Sequence, residues 1–195
     1  MQGHRTRTAS IEVTDSLVDA ALALLEESGI ASLTVRAVAS RAGVAPMGVY
    51  SRFGSKDGLL EALFVHGFTG LESAIEPQPS PSPMNRLRTG CMGYREFAIN
   101  NPQMYHLMFE QMMLLELSPE AQSAAKRTFM ILVDRVQEAM NSGDLAAGNS
   151  VEVAQQLWSA MHGAVSLEIA GVHFAQDREA NYAALLEAMF NGLSA

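Results

Sequence analysis

The chain has 195 residues, 48% of them apolar, which suffices for a sizeable core and excludes global disorder. A single cysteine, Cys91, excludes an intramolecular disulfide framework and a cysteine zinc site, and fits a reducing compartment. No run of about 18 uncharged apolar residues occurs, so no membrane span is expected, and Asp15, Asp19, Glu26 and Glu27 interrupt the Ala/Leu-rich stretch that follows Arg5 and Arg7, which argues against a secretory signal and for a cytoplasmic location.

Taken in chain order, the elements all read as helices. After about ten residues expected to be flexible, Val13, Leu17, Ala20, Ala21, Leu24 and Leu25 recur at helical spacing with acids opposite. Gly29 ends this helix. Thr34 is a good N-cap for a short second helix whose inward stripe is Val35, Val38, Ala39 and Ala42. Gly43 breaks it, and Pro46 suits the first turn of a third helix with Val49 and Phe53 inward. Ser55 caps a fourth helix that turns Leu59, Leu60, Leu63 and Phe64 inward.

The segment 76–83 (EPQPSPSP) holds four prolines in eight residues and marks the clearest boundary. Helical runs resume at 84–100, 102–116, 119–141, 151–175 and 178–193. Asn101-Pro102 and Ser118-Pro119 each read as an N-cap followed by a first-turn proline, and 141–149 reads as a turn. The expected fold class is therefore all-α: an N-terminal three-helix domain over residues 1–55, and a C-terminal helical bundle over 56–195 with the fourth helix as connector.

Charge is distributed unevenly. Residues 1–60 hold six basic and six acidic side chains, so the whole net charge of -8 lies beyond them. Four of those six basic residues, Arg36, Arg41, Arg52 and Lys56, fall within positions 36–56, a stripe able to face phosphates. A short helix, a glycine turn and a second short helix form the helix-turn-helix pattern, whose second helix enters the DNA major groove. Here the turn is Ala42-Gly43-Val44, and Pro46, Met47 and Gly48 form the tip that approaches base edges. Arg36 suits guanine or a phosphate, while Tyr50, Arg52 and Lys56 suit phosphates. A small all-α core with incidental surface arginines is compatible with the same pattern.

The stretch from Leu17 to Leu63 resembles the N-terminal domain of the TetR family of bacterial regulators. The matching residues are Ala20-Ala21, Leu24 to Gly29, Leu33 to Ala39, Ala42-Gly43-Val44, Val49-Tyr50, Phe53, Ser55-Lys56 and Leu59-Leu60. The resemblance implies a DNA-binding head on a helical body that binds a ligand and dimerises. It places Tyr50 and Lys56 on phosphates and Arg36, Met47 and Gly48 at or near bases, with Thr34, Pro46 and Arg52 completing the expected DNA-binding set. One position departs: Ala45 stands where the family often has a capping serine or threonine.

In the body, Tyr94-Arg95-Glu96-Phe97-Ala98, Asn101-Pro102, Tyr105, Leu107-Met108-Phe109, Leu157-Trp158, His162-Gly163 and Leu167-Glu168 resemble a C-terminal subtype marked by a tryptophan, a histidine and a glycine in the penultimate helix. Methionines adapt to irregular shapes and suit a lipophilic effector. Met104, Tyr105, Met108, Met112, Phe129, Trp158, Met161 and His162 are the expected ligand-binding residues, although any single methionine also reads as core. By resemblance the last two helices form the dimer interface, with Ala160, Gly163, Ala164, Ala170 and Gly171 permitting close approach and Leu185, Leu186, Met189 and Phe190 supplying apolar area.

The sequence thus points to a homodimeric transcriptional regulator, expected to be a repressor that binds an operator in double-stranded DNA and is released from it by a small lipophilic effector. No membrane association, cofactor, metal or catalytic residue is expected. Two alternatives stand beside it: an all-α enzyme, for which only Cys91 with His162 offers a pair, and an all-α ligand-binding module without DNA binding.

Overall fold

The computed structural model describes residues 3–76, 80–111 and 117–194, with side chains from residue 12 onward except at position 111. Among the described residues there are nine α-helices and no strand. They are α1 Gly3–Ser28, α2 Val35–Arg41, α3 Pro46–Phe53, α4 Lys56–Ile75, α5 Pro83–Asn100, α6 Pro102–His106, α7 Pro119–Asn141, α8 Ser150–Ile169 and α9 Arg178–Gly192. A short 3-10 turn, Ile30–Ser32, follows α1, and α6 runs on into a π-helical turn, Leu107–Gln111. Helix α1 begins at Gly3 and so takes in residues 3–10. Residues 77–79 of the proline-rich segment, together with Met112 and Met113, lie outside the described residues.

The helices divide into two compact units. The first comprises Met1–Gly67 and Gln103–Gln122, the second Phe68–Pro102 and Ser123–Ala195. In the first, Leu17, Ala21 and Leu25 from α1 and Leu33, Val38, Ala39, Val49, Leu59 and Leu63 are all fully or almost fully buried. Each such leucine contributes roughly 1.5–3 kcal/mol. Met104, Leu107 and Met108 are buried in this same unit. Gly67 explains how they fit: a β-carbon there would stand 2.7 Å from Met104 Sδ and 2.6 Å from Met108 Sδ, far inside contact distance. A side chain on α4 at this point would displace both thioethers.

In the second unit, α5 is the hub. Its buried face carries Leu87, Cys91, Tyr94 and Ala98, at the three- and four-residue steps of a single helical stripe. Three arginines on the same helix reach three different helices. Arg86 pairs with Glu138 on α7, Arg88 with Glu187 on α9, and Arg95 with Glu168 on α8. The Tyr182 hydroxyl of α9 donates to the Cys91 carbonyl at 2.9 Å, fully buried. Leu186 and Phe190 of α9 are buried within the chain itself, so they serve the subunit core and not the outer face assigned to them from sequence.

One helix end and one capping side chain differ from the sequence reading. Helix α8 stops at Ile169 instead of continuing to 175. Gly171 takes φ +71, its N–H donates to the Glu168 carbonyl, and the Val172 N–H donates to the Leu167 carbonyl. This is a Schellman cap, which closes the last turn with a left-handed residue. Ala170 and Gly171 therefore lie beyond the helix, and Phe174 in the following loop is 100% exposed. Asn101 also differs: its side-chain amide donates back to the Phe97 carbonyl at 2.8 Å, closing α5. The expected caps at Thr34, Ser55 and Ser118 are formed, accepting from the N–H groups of Ala37, Gly58 and Ala121.

Candidate nucleic-acid interface

Local sequence builds the turn between α2 and α3. Ala42 ends α2, Gly43 takes φ +69, its N–H donates to the Ser40 carbonyl, and the Val44 N–H donates to the Ala39 carbonyl. This is again a Schellman cap, and only glycine adopts that φ at little cost. Val44 then leads to Ala45, the N-cap of α3, which has extended dihedrals and no side-chain cap; Pro46 occupies the first helical position. The missing cap leaves N–H groups at the start of α3 without a side-chain acceptor, and proline has no N–H to satisfy.

The residues expected to meet DNA differ in exposure. Met47 is 71% exposed and Tyr50 48%. Pro46, Arg36 and Lys56 are also exposed, while Gly48 and Arg52 are half-buried. Val49, between them in sequence, is fully buried and fixes α3 to the core. Thr34 is exposed, and its hydroxyl oxygen already accepts from Ala37, so what it offers a partner is its proton. Lys56 opens α4 one residue after the Ser55 cap, next to the positive end of that helix dipole.

One member of the basic stripe is engaged elsewhere. Arg41 makes two hydrogen bonds of 2.6 Å to the two carboxylate oxygens of Glu27 on α1. These bonds hold the Glu27 carboxyl below the usual carboxylate range and raise Arg41. Arg41 thus clamps α2 to α1, which leaves Arg36, Arg52 and Lys56 of the 36–56 stripe. Sequence reasoning passed over Ser51, whose hydroxyl lies between the Gly48 carbonyl at 3.0 Å and Arg52 Nη1 at 2.9 Å; a serine inside a helix carries no periodic signal.

The expected ligand-binding residues fall in two groups. Met104, Tyr105 and Met108 belong to the first compact unit and are buried there, Tyr105 against Phe109 with ring centroids 4.8 Å apart. Phe129, Trp158, Met161 and His162 belong to the second. There the Trp158 ring lies 5.9 Å from both the Phe129 and His162 rings. Tyr94 joins this group: its hydroxyl accepts from Trp158 Nε1 at 3.4 Å and shares a hydrogen bond with His162 Nδ1 at 3.1 Å. The two segments marked by resemblance, 94–98 and 157–168, are therefore brought together, through Tyr94 with His162 and through Arg95 with Glu168.

Cys91 is buried, and burial pushes its thiol up to about 12. A neutral, enclosed thiol is a poor nucleophile, which removes the chemical support for a Cys91–His162 pair. Among the described residues no group of three His, Cys, Asp or Glu could hold a metal, and no helix is long and apolar enough to cross a membrane.

Two family descriptions match this chain. Residues 17–63 match the family described as bacterial regulatory proteins, tetR family, and residues 87–191 match the Tetracyclin repressor-like C-terminal domain. The HTH-type transcriptional regulator BetI of Burkholderia thailandensis is 39% identical over 75 residues, which cover 37% of this chain and 38% of that protein. An HTH-type transcriptional regulator of Mycobacterium tuberculosis is 26% identical over 159 residues, 81% of this chain and 71% of the relative. Among solved structures, a protein from Rhodococcus sp. RHA1 superposes with a TM-score of 0.85 at 23% identity, covering 94% of this chain and 96% of the other, so the fold is shared. On these matches the chain belongs to the TetR family of bacterial regulatory proteins.

Proposed function

We propose that this protein is a cytoplasmic, homodimeric transcriptional repressor, not an enzyme, whose residues 1–55 dock on an operator and whose residues 56–195 bind a small lipophilic effector and dimerise. The observation that carries the reading is the exposure of Arg36, Met47, Tyr50 and Lys56 on and beside a helix-turn-helix whose turn is capped by Gly43. Tyr50, Arg52 and Lys56 act as phosphate anchors, with Thr34 donating its hydroxyl proton to a further phosphate. Arg36 reads a base edge, and the Pro46-Met47-Gly48 tip offers apolar contact to thymine methyl groups and close backbone approach. Two such heads about 34–36 Å apart would read a near-palindromic site. The outer face of α8, with exposed Gly163 and Leu167, supplies part of the dimer contact.

The effector weakens DNA binding by favouring the released state. Each tenfold loss of operator affinity requires about 1.4 kcal/mol of preference for that state. The candidate effector contacts are Met104, Tyr105 and Met108 in the first unit and, separately, Phe129, Trp158, Met161 and His162 in the second.

A mobility-shift assay on DNA flanking the protein's own gene tests the reading. Salt-sensitive binding to one fragment supports it, and absence of binding to any such fragment removes it. Lys56→Ala weakens binding to all sequences alike and flattens the salt slope by about one unit. Arg36→Ala also changes sequence preference, and a uniform loss would reduce Arg36 to a phosphate contact.

A further inference from the structure

We propose that Ser51 is a positioning residue that holds Arg52 ready for a DNA phosphate; the inference rests on the DNA-binding reading above. The Ser51 hydroxyl lies 3.0 Å from the Gly48 carbonyl, one helical turn back, and donates its only proton there. Its oxygen can then only accept, and the donor is Arg52 Nη1 at 2.9 Å. The order of donors therefore runs in one direction, from the Arg52 guanidinium through Ser51 to the backbone at the tip of α3.

Arg52 itself is half-buried, and its Nε is enclosed with no hydrogen-bond partner among the described residues. One edge of the guanidinium is thus turned into the protein and one corner is tied to Ser51. An arginine in solution samples many rotamers, and binding has to remove that freedom. Here much of it is removed beforehand, with the guanidinium held in the last turn of α3, between Tyr50 and Lys56 in sequence. Charge-assisted hydrogen bonds to phosphate depend on this kind of directional fit.

The test uses the full chain and a mixed-sequence duplex of about 30 base pairs, titrated over a range of salt. Ser51→Ala lowers duplex affinity roughly threefold to tenfold. Arg52→Ala lowers it at least as far and reduces the salt slope by about one unit. The double variant is no weaker than Arg52→Ala alone, and Ser51→Thr, which keeps the hydroxyl, restores wild-type binding. Unchanged affinity in Ser51→Ala, or losses that add in full in the double variant, would overturn the proposal; additive losses would mean that Ser51 acts on DNA by itself. If Lys56→Ala weakens binding while neither Ser51→Ala nor Arg52→Ala does, the DNA-binding reading stands and this inference falls. If the wild-type chain shows no salt-dependent binding, the broader reading fails first.

Discussion

Arg95 and Glu168 face each other across α5 and α8 with two parallel hydrogen bonds, Nε to Oε2 at 2.9 Å and Nη2 to Oε1 at 2.8 Å. Only 12% and 9% of the two side chains is exposed. Hydrogen bonding to Glu168 raises the arginine above its ordinary value, and Glu179 lies 3.8 Å away on α9. Removing Arg95 leaves the Glu168 charge enclosed without that partner, whereas removing Glu168 leaves Arg95 beside Glu179. Arg95→Ala is expected to lose about 3–5 kcal/mol in urea denaturation, and Glu168→Ala less. The Arg95→Met, Glu168→Leu pair should lose far less, because it leaves no orphaned charge. A single-variant loss no larger than that of an exposed pair would show that the interface is wet.

Gly58 and Gly43 are expected to respond differently to alanine. At Gly43 nothing lies near an added β-carbon, so Gly43→Ala costs only the left-handed backbone, about 1–2 kcal/mol. At Gly58 the new β-carbon would stand against the Phe53 carbonyl oxygen, well inside contact distance. Backbone cannot swing aside as a side chain does, so the turn between α3 and α4 has to shift. Gly58→Ala should therefore lower the Tm more than Gly43→Ala and weaken duplex binding, because the same turn sets Lys56. Equal Tm values for the two variants would contradict this.

Acid should loosen the α5–α7 contact. Burial pushes the Glu138 carboxyl up, but hydrogen bonds from Arg86 and Arg135 outweigh it and hold the group below its ordinary value. A carboxyl lowered in the folded state stabilises above its unfolded pKa and loses that contribution as pH falls through the folded value. Stability measured by urea midpoint should thus decline between about pH 5 and pH 3, and Glu138→Gln should make that decline shallower. The effect is small, since the carboxylate is partly exposed and screened.

Base should act through Cys91 in the opposite sense. Its thiol is raised to about 12 by burial, so the unfolded chain ionises first as pH climbs. Stability held at neutral pH is then lost progressively from about pH 9 upward, and Cys91→Ser or Cys91→Ala removes that part of the dependence. In the native protein at pH 8 a disulfide reagent should titrate no thiol, whereas in denaturant it should titrate one equivalent per chain.

Much of this architecture is legible from short-range signals. Thr34, Ser55 and Ser118 announce helix starts, Gly43 announces the turn, and the stripes of Leu17, Ala21 and Leu25 or Val38 and Ala39 announce the buried faces. Those features depend on residues within one or two turns of each other. What the sequence does not disclose depends on pairs brought together by folding. The clamp of Arg41 by Glu27 spans 14 positions and removes a cation from the basic stripe. The Tyr94 hydroxyl finds His162 and Trp158 more than sixty positions away. The early end of α8 is hidden for another reason: Val172 and Phe174 continue an apolar pattern, and only the left-handed Gly171 reveals that the helix has stopped. The π-helical turn after α6 likewise leaves no mark on periodicity.

The placement of Gln103–Gln122 with Met1–Gly67 bears on how the head can be isolated. Gly67 is covered by Met104 and Met108, and the Gln103 side-chain oxygen sits 3.1 Å from where a β-carbon on Gly29 would be. A gene cut after residue 55 or 67 would therefore express a head stripped of one wall, with apolar surface open to aggregation. The natural excisable piece is discontinuous. Splicing Gly67 to Gln103 through a short glycine-serine bridge, and so deleting 68–102, keeps that wall while discarding the helix α5 around which the other unit is built.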